Sequence, residues 1–219
     1  MGGNFALGYL TFMLEGALWT VGLSLIVLAW GGALALVVAL CRISGLAWVR
    51  TITALYIQLI QGTPVLVLIF LFYFGLPTLL GWSLSPLLAA SASLSIYVSA
   101  YLGESWRGSI QSVPKAQWET AECLGLSRTQ RMTRVILPQA IRIATPPTVG
   151  FMVQIIKNTS LASIVGFVEL VRAGQIVNNT IFQPFAIYVL IAALYFSMCY
   201  PLSLLSRRLE TRAGDKSYA

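Results

Sequence analysis

"ETAECLGLSRTQRMTRVILPQA", residues 119–140, carries three arginines and two glutamates between stretches that could each dissolve in hydrocarbon. No charged residue occurs between Glu15 and Arg42, or from Thr51 to Gly103. Of the 219 residues, 58% are hydrophobic and only 10% charged, with a mean hydropathy of +0.81. Soluble domains carry roughly a quarter charged residues. In lipid each segment must satisfy its own backbone hydrogen bonds. The expected fold is therefore an all-α integral membrane protein, with a single domain over residues 1–219. A transmembrane barrel would need short alternating segments, and these runs are long and unbroken.

A helix of about 20 residues crosses the hydrocarbon, which places the first span at 19–40. The uncharged run from Thr51 is too long for one crossing. Gly75-Leu76-Pro77, with Gly81 and Pro86, divides it into spans at 52–74 and 86–102. Pro146-Pro147 suits the first turn of a helix, so the fourth span is predicted at 147–167. The fifth, at 184–205, has Pro201 distorting its last turn. Trp19, Tyr73, Trp82 and Tyr188 read as interface anchors and lipid-facing packing. Met1 to Leu14 contain no Lys or Arg, so no secretory leader is expected.

With five spans, the loop after the first, the insert at 104–142 and the C-terminal tail fall on one side. Together they hold twelve of the fourteen basic residues; Arg172 lies opposite, and Lys157 within the fourth span. The positive-inside rule then sets the N-terminus outside and the C-terminus in the cytoplasm. The same clustering directs the net charge of +7 to a membrane rather than to nucleic acid. There is no histidine, the usual metal ligand and general base. Cys41, Cys123 and Cys199 show no paired spacing. The chain thus reads as non-catalytic, without a cofactor or metal of its own. Lys157 and Ser160, three apart, have no supporting motif for an intramembrane enzyme.

Within the insert, Pro114 opens a helix to about Leu124, and Gly125 stands where a C-terminal glycine lets the chain turn. Ser127-Arg128-Thr129-Gln130 reads as a capping box opening a second helix, expected to end near Pro138. Such a hairpin could lie on the anionic inner leaflet with its arginines on lipid phosphates. It could equally dock a protein. Ala121, Gly125 and Leu126 leave room at the turn, and Glu119 and Glu122 suit a basic partner better than lipid.

Glu119-Thr120-Ala121, then Gly125, then Ile136-Leu137-Pro138, resembles the EAA signature of bacterial ABC-importer permeases, with Thr120 replacing the middle alanine. "QGTPVLVLIFLFYFGLP" (61–77), "AYLGESWRGSIQSVPKAQWETA" (100–121), "VILPQAIR" (135–142) and "KNTSLASIVGFVEL" (157–170) resemble the branch for polar amino acids. The resemblance covers about residues 16–210. It implies a type I ABC-importer permease fold, in a multi-pass subunit of the bacterial inner membrane. It also implies that the 112–138 loop couples to a cytoplasmic ABC ATPase dimer through Glu119, Thr120, Ala121, Gly125 and Leu126. ATP and Mg would sit on that partner; the chain itself has no Gly-x-x-x-x-Gly-Lys-Ser/Thr loop. A second permease subunit, identical or paralogous, and an extracytoplasmic amino-acid-binding protein are the other partners implied, with membrane lipid around them.

Lys157 lies about ten residues beyond Pro147, near the middle of a roughly 30 Å core at about 1.5 Å per residue. Exposing it to lipid would cost on the order of 2.5–3.5 kcal/mol, so it should face the bundle interior or a wet path. Gln154 and Asn158 share a face beside it. These groups either tie helices together or line a path for a solute bearing a carboxylate and an ammonium. The resemblance favours the path, and implies Gln61, Thr63, Lys157, Asn158, Thr159 and Ser160 as its candidates. Thr63 and Ser160 could instead bond their own helix carbonyls, and Pro64 would free a carbonyl at a bend or gate. Glu104 with Arg107, and Glu169 with Arg172, are three apart and read as ion pairs at helix ends or as gates. The rival to an ATP-driven importer is a self-contained ion-coupled carrier or channel using Lys157 and Glu169.

Overall fold

The computed structural model describes residues 2–81 and 83–214, with side chains from residue 7 onward except at 80 and 212–214. Trp82, read above as an interface anchor, and Lys216 of the basic tail lie outside them. The described chain is helical: α1 (Gly2–Arg42), α2 (Ala47–Gly62), α3 (Val65–Phe70), α4 (Leu76–Leu80) and α5 (Pro86–Gln111), then α6 (Lys115–Cys123), α7 (Arg128–Gln130), α8 (Leu137–Asn158), α9 (Leu170–Ile181) and α10 (Pro184–Gly214). Four helical stretches are long and apolar enough to cross a membrane. A fifth is a bent pair, Ala47–Gly62 and Val65–Leu79, meeting at 102°.

α1 and α5 form the spine, and small residues set how closely they approach. A Cβ on Gly31 would stand 2.8 Å from Val98 Cβ, and one on Gly103 would stand 2.5 Å from Val38 Cγ1. Leu23, Val27, Ala35, Leu94, Val98 and Leu102 bury the seam, and Ile69 of α3 and Ile155 of α8 close over it. At the end of this seam, Arg42 meets Glu104 at 3.3 Å, and Arg107 meets the other carboxylate oxygen at 2.5 Å. This basic end of the bundle also receives the start of α8 and the end of α10, where the Ser206 hydroxyl donates to the Pro146 carbonyl at 3.0 Å.

Two spans differ from the sequence reading. The fourth does not start at Pro147: helix runs on from Arg128, through a π segment at Arg131–Ile136, into α8, with Pro146 and Pro147 inside it. Nor does the insert's second helix stop at Pro138. A proline ring removes the donor to the carbonyl four residues behind it, here those of Arg142 and Ile143 for Pro146 and Pro147, and the helix continues through both; the side-chain bonds nearby fall on other carbonyls. Thr145 and Thr148 donate to the Ile141 and Ala144 carbonyls, and Gln139 donates to that of Val135. With the helix reaching back so far, Lys157 stands about 22 Å along it from Arg142 at roughly 1.5 Å per residue. Beyond Asn158 the chain tightens into a 3-10 segment, Thr159–Val165, which ends on Gly166. The second span also departs from a straight crossing at 52–74, because it breaks at Thr63-Pro64.

Candidate functional site

The insert is a compact knuckle at the basic end. α6 closes with paired bonds, Leu126 N–H to the Ala121 carbonyl at 3.2 Å and Gly125 N–H to that of Glu122 at 2.9 Å. This Schellman closure needs a left-handed residue, and Gly125 supplies it with φ +71°. Ser127 then caps α7 reciprocally with Gln130. Arg131 bridges back to Glu122 at 3.0 Å, and Ile110, Val113, Ile136 and Ala140 pack beneath with Trp118 and Met132 against them.

Of the loop candidates, Glu119, Thr120 and Gly125 are exposed and Leu126 is half-buried. Ala121 is 2% exposed and turns into the knuckle itself, so its small size serves the loop's own packing. Open space surrounds Gly125. Leu124, 73% exposed at the tip, escaped the sequence reading. The signal was an apolar residue at a helix end with no neighbour of its own to cover it.

The path candidates sit at two irregular points that pack together. α3 begins just past the Thr63-Pro64 break and lies against the 3-10 segment that follows Asn158. Gln61 and Lys157 are exposed. The hydroxyls are not free: Thr63 donates to the Leu59 carbonyl, Thr159 to that of Ile156 and Ser160 to that of Lys157, each at 2.7 Å. Asn158 is buried and accepts from Gln154 Nε2 at 3.0 Å. Lys157, with Tyr195, Tyr200, Ser203 and Arg207, lines a cavity of about 310 Å³ between α8 and α10.

Glu169 is fully buried and does not form an ion pair with Arg172. Its carboxylate caps α9, accepting from Arg172 N–H at 2.9 Å and Val171 N–H at 3.0 Å, and from the Tyr195 hydroxyl of α10 at 2.9 Å. The Thr20 hydroxyl of α1 stands 3.4 Å away and accepts from Leu170 N–H. The Arg172 guanidinium turns instead to Gln175. Burial pushes the Glu169 carboxyl above the usual carboxylate range, opposed by the bonds from Val171, Arg172, Tyr195 and Thr20. With these donors around it, Glu169 is not the partner of Lys157 that an ion-coupled carrier would use. Trp19 is likewise more than a lipid anchor, since it meets Phe167 edge-on at 5.9 Å.

Residues 31–215 match the family described as binding-protein-dependent transport system inner membrane component. The chain is 36% identical over 201 residues to the probable amino-acid ABC transporter permease protein YckA of Bacillus subtilis (strain 168), covering 92% of this chain and 88% of that one. It is 35% identical over 202 residues to the glutamine transport system permease protein GlnP of Escherichia coli (strain K12), covering 91% and 92%. A solved amino acid ABC transporter with histidines superposes with a TM-score of 0.89 at 31% identity, covering 95% of this chain and 97% of that one. The MetNI methionine ABC transporter, at 13% identity and a TM-score of 0.70, shares the fold.

Proposed function

The chain belongs to the family of binding-protein-dependent transport system inner membrane components, and from that premise we propose that it is the permease subunit of an ATP-driven importer for a polar amino acid. Its place is the bacterial inner membrane, which it crosses several times, with the N-terminus outside and the basic end in the cytoplasm. The knuckle at 112–138 is the contact with an ABC ATPase dimer, on which ATP and Mg bind. A second permease subunit completes the path, and an extracytoplasmic binding protein delivers the solute. The observation that carries this reading is the knuckle. It is a closed, braced hairpin that ends on an exposed leucine beside exposed Glu119 and Thr120.

Closure of the ATPase pair would move two such knuckles together, and the long helix running from Arg128 carries that displacement directly into α8. The path then alternates between outward-open and inward-open states. A partner can shift such an equilibrium only through differential contact with the two states, and the unbroken helical connection to α8 gives the contact something to act on. Gln61, Thr63 and the 157–160 stretch line the path at the junction of α3 with the 3-10 segment.

Reconstitution in proteoliposomes tests the reading. The permease with its ATPase and binding protein should accumulate amino acid only when ATP is present on the ATPase side. Uptake by the permease alone, driven by an ion gradient, would overturn it.

A further inference from the structure

α1 ends at Arg42 and α2 begins at Ala47, and the short elbow between them returns Arg50 to the side of Arg42. The two side chains lock this elbow reciprocally. Arg42 Nη1 donates to the Arg50 carbonyl at 3.3 Å, and Arg50 Nη1 donates to the Ser44 carbonyl at 3.4 Å. Arg42 Nε is taken by Glu104 at 3.3 Å. Every guanidinium nitrogen is a donor, so Arg42 Nη2 and Arg50 Nε and Nη2 are left without a protein acceptor among the described residues. Glu104 is also the carboxylate that Arg107 uses. Three guanidiniums therefore stand at this end with one carboxylate, and among the described residues Arg50 pairs with none.

Both arginines line a cavity of about 470 Å³ together with Thr51, Ala54, Leu55 and Gln58. Those four positions follow the i, i+3, i+4, i+7 spacing of one helix face. The cavity is thus a groove that runs about 12 Å along α2 from Arg50, out of the basic elbow and into the charge-free run that starts at Thr51. No acidic residue lines it. Leu55 and its helix neighbours Ile52 and Leu59 are each more than half exposed. Gln58, whose side chain leans back towards the start of α2 as helical side chains do, brings an exposed amide into the same groove. Trp48, 65% exposed in the first turn of α2, belongs to the residue type that gathers at headgroup level. A soluble anion needs only the arginine end of this groove. A phospholipid uses all of it, with phosphate at the guanidiniums, ester carbonyls at the amide and an acyl chain on the aliphatic wall.

We propose that the groove at the α1–α2 elbow binds an anionic phospholipid of the cytoplasmic leaflet. The phosphate accepts from Arg42 Nη2 and from the free Arg50 donors, bonds that are charge-assisted and strong, and one acyl chain lies along Ala54 and Leu55. The headgroup is anionic rather than zwitterionic, because an ammonium beside the phosphate meets surplus positive charge and finds no carboxylate in the groove. Phosphatidylglycerol meets this requirement and phosphatidylethanolamine does not. The bound lipid ties the end of α1 to the start of the bent span. This site goes beyond the transport reading and holds whichever solute the subunit carries.

The test is native mass spectrometry of the detergent-purified permease complex, titrated with phosphatidylglycerol or with phosphatidylethanolamine of the same acyl chains. The first phosphatidylglycerol should bind at least about fivefold tighter than phosphatidylethanolamine, the gain expected of one basic side chain on an anionic lipid. Arg50→Gln should erase that preference, and Arg50→Lys, which keeps the charge and loses the fork, should restore part of it. Ala54→Trp, which fills the groove at unchanged charge, should also erase it. Arg208→Gln, on the exposed tail, should leave it intact. Inorganic phosphate at matched ionic strength should not displace the bound lipid. Equal binding of the two lipids by the unaltered complex overturns the site and needs no variant to fold. So does a preference that survives in Arg50→Gln or in Ala54→Trp, since the same spectra show whether each variant is assembled. A preference lost equally in Arg208→Gln would mean diffuse attraction instead of a built groove, and displacement by phosphate would assign the arginines to a soluble anion.

Discussion

Replacing Glu169 with alanine should loosen the end of the bundle remote from Arg42. The carboxylate takes two backbone N–H groups of α9 and the Tyr195 hydroxyl, all at 2.9–3.0 Å, with nothing exposed to solvent. Loss of the cap costs about 0.5–2 kcal/mol, and leaving the tyrosine hydroxyl buried and unpaired adds about 1–3 kcal/mol. Removing a buried carboxylate returns part of this, so a net loss of roughly 2–4 kcal/mol is expected. At about 2–4 °C per kcal/mol for a chain of this length, melting should fall by on the order of 10 °C. The assay is thermal unfolding of the detergent-solubilised chain followed by tryptophan fluorescence. Glu169→Gln keeps one acceptor and sets an NH₂ among donors, so it should lie between alanine and the parent. Tyr195→Phe should destabilise the parent by about 1 kcal/mol yet be neutral or stabilising in Glu169→Ala, where the hydroxyl is already orphaned. Melting of Glu169→Ala within about 2 °C of the parent, where roughly 1 kcal/mol is the limit of meaning, would refute the junction. Additive effects of the two changes would refute the tyrosine bond.

Three further outcomes follow from the geometry. Gly103→Leu should cost more than about 3 kcal/mol, above ordinary overpacking, because its side chain meets Val38 and the Ala35 carbonyl at 3.1 Å; size-exclusion chromatography should show aggregated material. Gly125→Ala and Gly125→Trp both carry the left-handed strain of about 1–2 kcal/mol, but only tryptophan fills the open space around the turn. Transport-coupled ATP hydrolysis should therefore survive alanine and fail with tryptophan while both insert normally. Glu104→Gln should shift stability by less than about 1 kcal/mol, since the bridge to Arg42 and Arg107 is partly solvated; a larger change in the same melting assay would refute a weakly stabilising helix-end bridge.

What the sequence made legible was whatever depends on local composition. The charge-free runs marked the long apolar helices, and Gly125 with Ser127…Gln130 located the knuckle's turn and cap, because capping chemistry involves neighbours within four residues. Pro146-Pro147 misled for the opposite reason. A proline pair suits the start of a helix, and this one lies inside because helix forms on both sides of it, packed against α10, where Ser206, sixty residues away, bonds the Pro146 carbonyl. Glu169 misled similarly. Its i+3 arginine suggests an ion pair, but the carboxylate is claimed by α9's own N-terminus and by Tyr195, twenty-six positions on. Thr63, Thr159 and Ser160 look like path groups in sequence, yet each hydroxyl is already bonded to its own backbone.

Two of the irregular points sit together. α1 and α5 run unbroken for 41 and 26 residues and are locked by contacts that only glycine permits. The 102° break before α3 and the 3-10 segment after α8 meet on one flank of that spine. Bundles move where helices have few alternatives to lose, and a break or a tightened turn is such a place. On the reading proposed above, a displacement entering at the knuckle passes along the continuous helix from Arg128, through its π segment and prolines, to the 3-10 turn after Asn158. On that reading the knuckle and the 157–160 stretch stand on one helical run, so a push at one end acts on the joint at the other. A change that stiffens that joint should weaken both together, whereas damage at either end alone should spare the other.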